Sequence, residues 1–144
     1  MKELFEIGIV FRGFVLVKYK FKKLSSIKGI KESSKDLRGA FISAINSFAI
    51  NAFNNISLEY LESDKILFVF KLAQIKALDC ESEEPVILYG LINKPKKDTD
   101  KIVKKFFEKV EPILNLFVTT FTNRDFTELN QFEPFLEEIK NYFS

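Results

Sequence analysis

Val86-Ile87-Leu88-Tyr89-Gly90-Leu91-Ile92 carries no charged or strongly polar side chain. Successive residues of a strand point to opposite sides, so a run without polar alternation has both sides covered. That places this segment in the middle of a sheet with protein packed on each face. Pro85 and the acidic tract from Asp79 to Glu84 mark its beginning.

The segments around it supply the rest of the sheet. Upstream, Ile56 to Leu61 and Ile66 to Leu72 form a predicted hairpin across Glu62-Ser63-Asp64-Lys65, with Phe68 and Phe70 on one face. At the start of the chain, Phe5, Ile7, Ile9 and Phe11 alternate with Glu6, Gly8 and Val10. Arg12-Gly13 turns the chain, and Phe14 to Phe21 returns with Val15, Val17, Tyr19 and Phe21 on one side and Lys18 and Lys20 on the other. Lysines along a strand discourage further pairing, so this second strand is expected at an edge.

Between the hairpins, Leu37, Ala40, Phe41, Ala44, Ile45, Phe48, Ala49, Ala52 and Phe53 recur at three- and four-residue steps, which predicts a helix with one broad apolar face. Ser33 and Asp36 have the spacing of a capping box at its start. Beyond the last strand, Asp98 or Thr99 is expected to cap a second helix. Ile102, Val103, Phe106, Phe107, Val110, Ile113, Leu114 and Phe117 should face inward, Lys101, Lys104, Lys105 and Lys109 should face water, and Pro112 should kink it. After a turn from Thr119 to Thr127, a last helix presents Phe132, Phe135, Leu136, Ile139 and Phe143. The predicted order is β-β-α-β-β-β-α-α: one α/β (α+β) domain over residues 1–144, a five-stranded antiparallel sheet flanked by helices.

The composition removes whole classes of chemistry. The chain of 144 residues has no histidine, so it lacks the commonest general base, the usual activator of a nucleophilic Ser or Cys, and the commonest zinc ligand. Cys80 has no second cysteine to pair with, and its neighbours Asp79 and Glu81 disfavour the thiolate. Gly8 and Gly13 have the spacing of a phosphate loop, but Phe14-Val15 stands where Lys and Ser or Thr are required. Asp79, Glu81, Glu83 and Glu84 alternate as calcium ligands can, without the glycine that the loop needs, so a solvated loop is expected. The reading is a non-enzymatic chain with no cofactor and no metal.

A net charge of +2 gives no reason to expect nucleic acid as a partner. The basic residues do concentrate near the start, where Lys18, Lys20, Lys22 and Lys23 could touch an anionic surface. No apolar run approaches the ~20 residues of a membrane span, and the N-terminus does not read as a secretory signal. The expected location is therefore the cytoplasm, at most peripheral to a membrane, where Asn55-Ile56-Ser57 would never meet glycosylation enzymes.

The stretch from Asp36 to Ala49, an acidic cap followed by a run rich in small residues and Phe, resembles the first helix of archaeal longin-like proteins. Its continuation through Ile56-Ser57-Leu58-Glu59-Tyr60 and Lys65-Ile66-Leu67-Phe68-Val69-Phe70 is similar to theirs, and the order of elements is that of longin domains and their roadblock-like and profilin-like relatives. The resemblance covers nearly the whole chain. It implies an adaptor or small-GTPase regulator of the membrane-trafficking kind, whose partner is a small GTPase or another longin or roadblock domain.

It also implies a partner groove between the first helix and the third strand. There Ile42, Asn46 and Ile50 on the helix would stand beside Ser57, Glu59 and Leu61 on the strand. Two other readings accompany it: a profilin-like sensor holding a small molecule between sheet and helix, and a structural homodimer.

Overall fold

The computed structural model describes residues 3–22, 43–44, 47, 59–62 and 65–144. Within them, five strands form one antiparallel sheet: β1 (Leu4–Phe11), β2 (Phe14–Lys20), β3 (Tyr60–Glu62), β4 (Ile66–Ile75) and β5 (Glu84–Asn93). Their spatial order is β2-β1-β5-β4-β3. Two helices follow, α1 (Thr99–Phe121) and α2 (Glu133–Phe143), with a short 3-10 turn at Leu129–Phe132 between them.

The expectation for Val86 to Ile92 holds. This strand lies at the centre of the sheet, hydrogen-bonded to β1 on one side and β4 on the other, and all seven residues are buried. Val86, Leu88 and Ile92 join the core beneath the helices, whereas Ile87, Tyr89 and Leu91 join Phe5, Val10, Ile66 and Phe70 on the opposite face. β2 is an edge strand, as its lysines suggested.

Both helices cover the same face. Val103, Phe106, Val110, Ile113, Leu114, Phe117 and Phe121 form the buried stripe of α1, while Lys101, Lys104, Lys105 and Lys109 are exposed. Phe135 and Ile139 anchor α2. Where the two helices meet, the rings of Phe117, Phe121, Phe132 and Phe135 pack with centroids 4.8 to 5.9 Å apart, mostly tilted or edge to face, a spacing that adds aromatic attraction to area burial. Gly90 lies under this layer, and a methyl group there would overlap the Phe106 ring.

Three expectations need correction. Val15 does not share a face with Val17: the β1–β2 register shifts after Ile9, leaving Leu16 as an extra residue, so Leu16 and Val17 both pack beneath the helices and Val15 turns to the other side. A similar irregularity between Leu4 and Glu6 sends Phe5 to the face opposite Ile7 and Ile9. Asp98 occupies the cap position of α1, but its left-handed backbone (φ 61°) is not the extended one a capping side chain uses; only its carbonyl joins in, accepting from Lys101 N at 3.1 Å and Ile102 N at 3.2 Å. Pro112 stands inside α1, which continues from Thr99 to Phe121. It is on the exposed side, where water can satisfy the carbonyl that has lost its donor.

The predicted helix over residues 37–53 and the strand residues 56–58 lie outside the described residues, apart from Ser43, Ala44 and Ser47. Those three are helical, and Ala44, expected on the apolar face, is exposed.

Candidate interaction surface at the β1–β2 turn

The β1–β2 turn has two central residues. Phe11 pairs with Phe14, and both Arg12 (φ 51°) and Gly13 (φ 82°) have positive φ, as the tight turn matching strand twist requires. Gly13 adopts this conformation freely, whereas Arg12 is held in it while its side chain serves another purpose.

Because Phe11 also pairs with Val86, the start of β5 lies beside the turn, and Glu84 comes within reach of Arg12. The Arg12 guanidinium donates to both Glu84 oxygens, at 3.0 and 2.6 Å, and to both Asp79 oxygens, at 3.0 and 3.2 Å. Two-pronged pairing of this kind fixes orientation as well as charge. Arg12 holds both carboxyls below their usual range, and they in turn raise its own pKa.

The acidic loop is therefore tied to the hairpin at Asp79 and Glu84, which corrects the expectation of a wholly solvated segment; Glu81 and Glu83 remain exposed. Cys80 lies inside the cluster. Its thiol donates to Glu84 Oε2 at 2.9 Å, and this bond, more than the neighbouring charges, pushes its pKa up. The Arg12 Nη2 at 2.6 Å works the other way but does not prevail. Glu84 thus dominates, and Glu81, invoked from the sequence, does not enter. A protonated thiol beside a saturated cation is a structural arrangement, not an activated nucleophile.

Beside the cluster opens a cavity of about 270 Å³, lined by Phe11, Phe14, Leu16, Phe126 and Leu129 with Arg12, Asp79, Asp125 and Thr127 at its edge. Its floor is ordered: the Phe11 and Phe126 rings meet edge to face at 4.8 Å. Next to the lining residues Asp79 and Asp125, two backbone bonds join the exit of α1 to the β4–β5 loop, Asn123 N to Lys76 O at 2.7 Å and Leu78 N to Arg124 O at 3.0 Å. Asp125 Oδ1 closes the next turn by accepting from the Thr127 amide at 3.0 Å and hydroxyl at 2.7 Å, which lowers its pKa. The rim is unusual in its apolar exposure: Phe14 is 70% exposed and Leu129 61%, with Leu78 nearby at 63%.

Of the partner-binding residues expected from the sequence, Ile42, Asn46, Ile50 and Ser57 lie outside the described residues. Glu59 and Leu61 are at the far edge of the sheet from the cavity. Glu59 is exposed, its carbonyl accepting from Phe70 N at 2.8 Å, and Leu61 is half-buried against the face that carries Phe68. Of the lysines, Lys23 is not described. Lys18 and Lys20 stand opposite Gly8 and Glu6 in the register and are half-buried, and Lys22 is exposed with Nζ 5.6 Å from the Phe5 ring.

Arg12, Phe14 and Leu129 were not singled out from the sequence. Arg12-Gly13 read as a turn, and nothing local distinguishes Phe14 from the core phenylalanines.

Among the described residues, no group of three or more Cys, Asp or Glu is placed to hold a metal ion, and no helix is long and apolar enough to cross a membrane. The chain matches no protein-family model, and it matches no curated protein.

Proposed function

We propose that this chain is a non-catalytic protein-interaction domain of the longin type, acting as an adaptor or small-GTPase regulator in a process of the membrane-trafficking kind. The observation that carries the reading is the order of elements: an edge hairpin, three further strands with the last inserted at the centre of the sheet, then two helices on one face. The chemistry agrees with it. The chain has no histidine, and its single thiol is held protonated by Glu84. What the described surface offers instead is exposed apolar area, the usual currency of protein association.

The test is direct binding of the purified chain to small GTPases of its own genome, each loaded with GDP or a non-hydrolysable GTP analogue. Preference of at least one GTPase for the chain in one nucleotide state is expected. Absence of binding in both states across the set would overturn the regulator role.

A further inference from the structure

We propose that the cavity beside the β1–β2 turn is a docking site for a partner segment that combines a bulky apolar side chain with flanking Lys or Arg. This deepens the interaction-domain reading and rests on it.

The apolar half of the argument is where exposure concentrates. Among the described residues, Phe14, Leu78, Leu116 and Leu129 are the exposed large hydrophobics, and two of the four line this cavity while Leu78 adjoins Asp79 at its edge. Single exposed apolar residues are ordinary on any surface, but a group around a concave, aromatic-floored opening marks a place where another surface fits. The lining is held by the turn and the Phe11–Phe126 contact, and the segments that carry Asp79 and Asp125 are tied to each other by the bonds between the α1 exit and the β4–β5 loop. Docking there would cost little ordering of this chain.

Charge selects the occupant. Among the described residues that line the cavity, Arg12 is the one cation, and its donors are already committed to Asp79 and Glu84. Against that charge stand two carboxylates of the lining, Asp79 and Asp125, the latter held ionised by Thr127, while Glu84 pairs with Arg12 from outside the lining. The surplus is negative, so an acidic peptide or an anionic lipid surface is repelled and a cationic segment is drawn in.

Random peptides displayed on phage and selected on the full chain test this, with Phe14→Ser/Leu129→Ser and Asp125→Asn as comparison baits. Both apolar positions are exposed, so their replacement should leave the melting temperature in place. Asparagine keeps an acceptor for Thr127 while removing the charge. Selected peptides should carry a large apolar residue between basic ones, lose at least about tenfold in affinity on the double variant, and lose part of their salt dependence on Asp125→Asn. Enrichment of acidic or uncharged peptides, or equal affinity for the double variant, would overturn the proposal. So would light scattering showing a dimer of the wild-type chain that the double variant breaks, which would give the site to a second copy. A GTPase that binds wild type and double variant equally keeps the interaction-domain reading and removes this surface from it.

Discussion

The Tyr89 hydroxyl donates a 2.7 Å hydrogen bond to Glu6 Oε2, and both residues are 0% exposed. In the register Tyr89 stands opposite Gly8, so the ring crosses β1 where that strand has no side chain and reaches the carboxylate two residues along. A methyl group at Gly8 would overlap the ring. Tyr89→Phe, which removes a buried donor to a carboxylate, should cost about 1.5 to 3 kcal/mol. Gly8→Ala should cost a comparable amount, roughly 1 to 3 kcal/mol, by displacing the ring. Denaturant unfolding of both variants checks this, and a Gly8→Ala protein as stable as wild type would show that the ring moves without penalty.

The Arg12 cluster should give stability an acid limb. Asp79 and Glu84 titrate below their ordinary 3.8 and 4.5 in the folded chain, Arg12 being the first cause for each. Depressed carboxyls stabilise the fold above their unfolded values, and that contribution disappears as the pH falls through the lower folded ones. Arg12→Asn keeps a residue suited to positive φ and removes the charge. Melting curves from about neutral pH down to about pH 2 should show the wild-type advantage shrinking below the ordinary carboxylate range. A gap between the two proteins that stays constant with pH would place the value of Arg12 elsewhere.

Cys80 should react slowly with thiol reagents, because Glu84 holds its proton. Glu84→Gln removes that carboxylate and leaves Arg12 beside the sulfur, so the pH midpoint of alkylation should move down and the rate at a given pH should rise. Unchanged or slower alkylation of the variant would contradict the assignment.

Two phenylalanines should behave in opposite ways. Phe117, with no exposed surface and three aromatic neighbours, should cost about 3 to 5 kcal/mol when replaced by Ala, a large share of a typical domain's stability. Phe14→Ala, at an exposed position, should change stability by no more than about 0.5 kcal/mol. Chemical denaturation separates them, and a large loss at Phe14 would mean that its ring supports the hairpin.

Patterns of burial made much of the fold readable in advance. An unbroken apolar run identified β5 as central because a central, doubly covered strand has no polar side, and three-to-four spacing identified both C-terminal helices for the corresponding reason. Alternation failed where the register slips, at Leu16 and near Phe5, since a bulge is a property of two strands together and leaves no mark on either alone. Asp98 misled because residue type suggests a cap while backbone conformation decides it. The Arg12 cluster unites residues separated by about 70 positions through pairing on β5, and the cavity joins the first turn of the chain to the segment after α1. No local window of sequence contains either.

The position of β5 also sets an order of events. Leu4 pairs with Ile92 and Phe11 with Val86, so β1 and β4 have no shared neighbour until the fifth strand exists. In synthesis from the N-terminus, the native partner of the inner edges of β1 and β4, residues 84–93, is the last strand to emerge. Pairings so distant in sequence slow folding, and a nascent chain stalled before Glu84 would present both edges to whatever lies nearby.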